Sequence, residues 1–296
     1  MIRLERVSKT FGAIRAVDDV SLDIPRGAIT ILTGADGAGK STIFKMLVGL
    51  VKKDAGAVRL NGEDIGDDYS RVTSICGYMP EKFSLYADLS VEENLNFFAA
   101  IQQVPVPRRE ELKKRLLEKT GMAPFRKRRA GALSGGMKQK LALSTILLSS
   151  PELIILDEPT TGVDPLSRIE FFAIIEDLKN EGKTIVMSTP YLDEAEKGDH
   201  IVFMKNGRVM LQDALASLRA SFPARLFRIL PKGNIFAAMR AAAAVPGLEA
   251  SAYMRGKFIK YLQTGGENLG HLIPHLEMVE EKPSLEDMYI YYERRQ

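Results

Sequence analysis

At 296 residues the chain exceeds the usual domain size of about 100 to 200, so one large domain and one smaller one are expected. Its 41 Lys and Arg against 38 Asp and Glu leave a formal charge of +3, which argues against a dedicated nucleic-acid binder. Cys76 is the only cysteine, which excludes an intrachain disulfide and suits a reducing compartment. MIRLERVSKT at the start has no signal-peptide core, and no run reaches the roughly 18 uninterrupted apolar residues of a membrane span. The chain reads as cytosolic, so a membrane role would require docking onto another protein.

In chain order, IRLERV and AVDDVSLDI come first; in the second, Val17, Val20, Leu22 and Ile24 stand among polar residues, as in half-exposed strands. AITILT, residues 28–33, is apolar on both faces, the pattern of a central parallel strand, and runs directly into GADGAGKST and a helix-like IFKMLVGL. AVRL and ICGYM are further strands. From about Ser90 to Ser149 the period becomes helical, with VEENLNFFAAIQ and REELKKRLLEKTG. Strands return at LIILD and TIVMS, separated by a helix DPLSRIEFFAIIEDLKNEG that Gly182 terminates. HIVFMKNGRVMLQD is a hairpin turning at Asn206-Gly207.

Alternating strands and helices predict an α/β sheet, with the helical stretch at about 82–150 as an inserted subdomain. From about Leu218 the texture changes. LFRIL, a helix-like NIFAAMRAAAAV, a hairpin SAYMRGKFIKYLQT, another short helix and PSLEDMYIYYERR make a small α+β unit without phosphate-binding glycines. The expected domains are therefore 1–217 and 218–296.

Residues Gly34, Ala35, Asp36, Gly37, Ala38, Gly39, Lys40 and Ser41, with Thr42 next, satisfy G-x-x-x-x-G-K-[ST] between a buried strand and a helix. The glycines let backbone N–H groups face inward as an anion nest, the helix N-terminus adds partial positive charge, and Lys40 reaches phosphate oxygens. Ser41 is a candidate Mg2+ ligand. Asp157 and Glu158 end the apolar strand LIILD, where open α/β sheets bind ligands. Asp157 suits Mg2+, and Glu158 suits proton acceptance from an attacking water. LSGGMKQKLAL supplies a second helix-starting phosphate device at Ser134, which makes sense if it serves a nucleotide held by another subunit.

Together these motifs resemble the ATP-binding-cassette (ABC) family of transporter ATPases over roughly residues 1–217. The resemblance implies an α/β P-loop NTPase cassette, a mixed sheet core plus a helical signature subdomain, followed by the α+β unit. It implies that Phe11 stacks on adenine, that 34–42 bind ATP, and that Gly77 to Glu81 contact Mg2+ and the membrane partner. Ser134, Gly135, Gly136 and Met137 would be the trans-acting signature, Asp157 and Glu158 the acidic pair, and Gly162 to Asp164 a dimer-contact loop. Simpler readings make Phe11 a surface aromatic and Asp164 a helix N-cap before Pro165. MPEKFSLYADLSVEENL and PSLEDMYIYY resemble the drug- and polymer-export branch.

Two departures stand out. The family usually has His where Pro190 stands and Gln where Glu81 stands. Proline has no donor. With Thr189 as N-cap and Pro190 as first helical residue the local geometry would be kept and only the chemistry lost. Glu81 adds negative charge beside Asp157, Glu158 and the phosphates. The site is thus expected to bind ATP and Mg2+ but to hydrolyse slowly.

The expected function is an ATP-binding, ATP-hydrolysing subunit at the cytoplasmic face of a membrane. Its partners would be a separate integral membrane permease and a second cassette, with no nucleic acid. The alternatives are a cassette acting on ribosomes or nucleic acid, and a nucleotide-binding scaffold without turnover. The basic stretches at 125–129 and 108–115 read as solvated helix faces, His271 and His275 as unlinked to any metal, and 237–245 as core packing.

Overall fold

The structure, a computed structural model, describes residues 1–82, 85–230, 234–243, 252–264 and 277–294. Its contacts divide the chain into two compact units, Met1–Ala214 and Leu215–Gln296.

The first unit opens with a hairpin of β1 (Ile2–Phe11) and β2 (Ile14–Ile24). Val17 and Val20 are three positions apart yet both fully buried, because Asp19 takes φ 54 at a register shift and returns the chain to the same face. Next come β3 (Ile29–Thr33), α1 (Lys40–Leu47), β4 (Ala55–Leu60), β5 (Glu63–Asp64), α2 (Ser70–Thr73) and β6 (Cys76–Met79). The helical insert follows with α3 (Val91–Ile101), α4 (Val106–Lys119) and α5 (Gly135–Ile146). Ser90 starts α3 through a capping box with Glu93. The unit closes with β7 (Leu153–Asp157), α6 (Pro165–Asn180), β8 (Thr184–Thr189), α7 (Leu192–Ala195), β9 (His200–Lys205) and β10 (Arg208–Ala214).

These strands form two sheets, β2-β1-β4-β5 and β10-β9-β3-β8-β7-β6. In the larger sheet β9, β3, β8, β7 and β6 run parallel, and every residue of β3, β7 and β8 is buried. That is why these segments are apolar without alternation. Asn206 and Gly207 both take positive φ, the two-residue turn that matches strand twist between β9 and β10. In the basic stretch at 125–129, Arg126 is ion-paired with Glu92.

The second unit begins with α8 (Leu215–Ala220) and contains β11 (Arg225–Leu230), α9 (Ile235–Ala243), β12 (Ala252–Arg255), β13 (Phe258–Gln263), β14 (Glu277–Glu281) and α10 (Leu285–Glu293). Its sheet order is β12-β13-β11-β14. One face packs Ile229, Ile259 and Tyr261 against Ile235, Ala238 and Met239, and the other packs Leu226, Tyr253 and Leu262 against Tyr291. Asp287 is fully buried, caps α10 with Ser284 and accepts from Lys260 at 3.0 Å. Strand β14 was not foreseen, because EMVEE is short and acidic. His271 and His275 lie outside the described residues, as do positions 244 and 245 of the expected core stretch.

Candidate functional site

Strand order builds the site. Thr33, Thr189 and Asp157 end adjacent parallel strands, with Thr33 opposite Thr189 and Ser188 opposite Asp157. The glycine loop, Pro190 and Glu158 therefore leave one sheet edge side by side, with Pro190 between the other two. Ligands bind at such edges in open α/β sheets.

The loop at 34–39 turns directly into α1. Gly39 has φ 103, and a Cβ there would lie 2.4 Å from the Ala16 carbonyl oxygen, so only glycine lets the loop close against β2. Lys40 is 4% exposed, and its ammonium donates to the carbonyls of Gly34 at 2.7 Å and Ala35 at 3.2 Å. It also stands 3.5 Å from Glu158 Oε1. Such a buried charge needs all of these oxygens.

Asp157 is 1% exposed, and its Oδ1 accepts from Ser41 Oγ at 3.0 Å and Ser188 Oγ at 2.7 Å. Ser188 Oγ in turn accepts from the Glu158 amide at 2.9 Å. A hydroxyl and a carboxylate brought together beside the loop are hard oxygen donors, the ligand class Mg2+ takes alongside phosphates and water, so the residues fit that ion. Ser188 was missed because only strand register places it against Asp157.

A groove of about 700 Å3 runs past the loop, lined by Asp36 to Thr42, Glu81, Glu158 and Thr161, with Ile14, Arg15, Ala16 and Asn206 at the other side. Phe11 is 47% exposed and pairs across the hairpin with Ile14, which places it next to a groove wall. Glu81 follows β6 and lines the same groove. Arg15 and Asn206 were not anticipated, since they come from hairpins distant in sequence.

Ser134 to Met137 are not among the groove-lining residues. Ser134 N-caps α5, accepting from the Met137 amide at 3.4 Å. A Cβ on Gly136 would meet Ser167 Cβ at 2.4 Å, so the second signature glycine is needed for α5 to pack on α6. Asp164 is the N-cap of α6, accepting from the Ser167 amide at 3.0 Å ahead of Pro165. Burial-free hydrogen bonding of this kind holds the Asp164 carboxyl below its ordinary range.

One expectation about Pro190 is corrected. The helix starts at Leu192 with Tyr191 as its N-cap, and Pro190 sits in a bend rather than in the first turn. Thr189 is otherwise engaged: its hydroxyl accepts from the Tyr191 amide at 3.1 Å and donates to Glu194 Oε2 at 2.5 Å. Glu194 is 4% exposed and also accepts from Thr160 at 2.8 Å. This buried carboxylate, unforeseen in the sequence, ties the turn after Glu158 to the segment after β8. Burial pushes the Glu194 carboxyl up, opposed by the Thr189 and Thr160 hydroxyls.

A carboxyl raised by folding holds its proton more tightly in the native state. Its contribution to stability therefore declines as pH rises from the ordinary Glu range to the raised native value. Urea unfolding across mildly acidic pH should show this slope, and Glu194→Gln should flatten it. Glu194→Ala, which strands two buried hydroxyls, should cost about 1–3 kcal/mol. An unchanged unfolding midpoint would contradict the network.

A glycine loop between a buried parallel strand and a helix, with an acidic pair at a neighbouring strand end, defines a P-loop nucleotide-binding protein. A profile described as ABC transporter matches residues 17–161. The chain is 36% identical over 298 residues to the probable multidrug ABC transporter ATP-binding protein YbhF of Escherichia coli, covering 98% of this chain and 51% of that protein. It thus spans about half the length of the first curated relatives it matches. Over 214 residues it is 36% identical to the lantibiotic transport ATP-binding protein SrtF of Streptococcus pyogenes, covering 72% of this chain and 90% of SrtF. Among solved structures, cbiO1 from Clostridium perfringens aligns with TM-score 0.68 at 26% identity, covering 74% of this chain and 90% of that one. A dimeric bacterial ABC transporter cassette aligns with TM-score 0.65 at 28% identity, covering 73% of this chain and 99% of that one. The chain belongs to the ABC transporter family and carries its ATP-binding cassette.

Proposed function

We propose that this chain binds and hydrolyses ATP to drive export through a separate integral membrane permease, working at the cytoplasmic face of the membrane and paired with a second cassette. The carrying observation is that Lys40, Ser41 and Glu158 line one groove, with Asp157 buried behind it and accepting a hydrogen bond from Ser41. No described helix is long and apolar enough to cross a membrane. Drug and lantibiotic transport in the names of YbhF and SrtF supports export.

In this reading the loop at 34–42 and Lys40 hold the phosphates, Phe11 supports the base, and Ser41, Asp157 and Glu81 hold Mg2+. The ion neutralises phosphate charge when bound. Glu158 takes the proton of a water whose oxygen bonds to the terminal phosphorus as the bridging P–O bond breaks. Ser134 to Met137 and Asp164 face a nucleotide on the second cassette. Pro190 offers no donor between the loop and Glu158, so this chain's own site turns over slowly. A scaffold role without turnover is the second reading, favoured by the same Pro190.

Steady-state ATP hydrolysis by the chain, alone and with its permease and second cassette, tests this. No hydrolysis in either case, with binding intact, leaves the scaffold. The unit from Leu215 onward is proposed to adjust docking or pairing rather than bind ATP. A chain ending near residue 217 should therefore stay folded and keep nucleotide affinity. Lost binding by a folded truncation refutes that role.

A further inference from the structure

We propose that Thr161 is a positioning residue for Glu158, fixing its carboxylate over the phosphate groove from within the same chain. This rests on the reading of Glu158 as proton acceptor given above. Glu158 has φ 48, a left-handed conformation that is strained for a side chain of this size. Such a residue persists only when its neighbours hold it. Two hydroxyl-bearing residues do so. Ser188 takes its amide from the neighbouring strand at 2.9 Å. Thr161 closes the turn that starts at Glu158: its amide donates to the Glu158 carbonyl at 3.2 Å, and its hydroxyl donates to Glu158 Oε2 at 3.3 Å. Pro159 after Glu158 favours that turn, because its ring presets the second position.

The contact is selective between the two carboxylate oxygens. Oε1 faces the Lys40 ammonium at 3.5 Å, and Oε2 faces Thr161. With Lys40 on one side and Thr161 on the other, rotation about the terminal carboxylate bond is restrained and the carboxylate stays in the groove that both residues line. Pro190, leaving the sheet edge next to Glu158, has no N–H and no side-chain donor, so it cannot supply this restraint. Thr161 is exposed and packs in no core, which makes a purely structural role a poor explanation of its placement.

Thr161→Val keeps the shape of the side chain and removes the donor. The expected result is a fall in kcat of about tenfold, as for a lost hydrogen bond to a charged group, with KM for ATP unchanged. Thr161→Ser, which keeps the hydroxyl, should restore most of the turnover. Parental kcat in Thr161→Val, or equal loss in Thr161→Ser, overturns the proposal. A crystal structure of Thr161→Val gives a second readout independent of turnover: the Glu158 carboxylate should leave its place beside Lys40, and an unmoved carboxylate also overturns the proposal. Glu158→Gln serves as the reference. If it hydrolyses ATP like the parent, the proton-acceptor reading fails, while the crystal structure still decides whether Thr161 holds the side chain.

Discussion

Lys40→Ala is expected to lower Mg-ATP affinity by at least about tenfold, because a charge-assisted contact to phosphate is lost. In the structure Lys40 is 4% exposed and is the shared partner of two loop carbonyls and Glu158. Its removal should therefore also loosen the loop. Urea unfolding of the variant, run beside equilibrium binding of a nucleotide, separates the two effects. A variant that unfolds like the parent and binds ATP equally well contradicts the site assignment.

The other large effect is expected at Pro190. Losing one donor to a developing charge lowers rates by about 10² to 10³ in well-studied hydrolases. Pro190→His puts a donor back at the strand end between the phosphate loop and Glu158, and it should raise this chain's own turnover by something of that order. Mixing with a second cassette that has its own histidine should raise the parent's turnover too, through the site that cassette completes with Ser134 to Met137. A parent that alone matches the mixed pair, together with no gain in Pro190→His, removes the asymmetric reading. Proline would then be only a bend-former after β8.

The central elements were legible because their burial is written in composition. Ile29 to Thr33, Leu153 to Asp157 and Thr184 to Thr189 are buried on both faces, so they are apolar without a break and stand out from any alternating segment. The phosphate loop was equally plain, since its glycines are demanded by close backbone approach, as at Gly39 against Ala16. The bend at Pro190 was misread because a proline after a threonine suits a helix start just as well; what decided it was Thr189, whose hydroxyl is taken by Tyr191 and Glu194.

By itself the sequence determined the nucleotide chemistry: a glycine loop with Lys40 and Ser41, an acidic pair at a strand end, and a helix-starting signature. These are local patterns, set by what the backbone needs over a few residues. Only the tertiary structure decided that Ser188 braces Asp157 and the strained Glu158, that Thr161 holds the outer carboxylate oxygen, and that Glu194 ties Thr160 to Thr189. The Ser188 bonds and the Thr160–Glu194 bond join segments 30 to 34 residues apart in sequence, and they depend on β8 lying beside β7. Strand order is a property of the whole sheet, and no single segment of the chain encodes it.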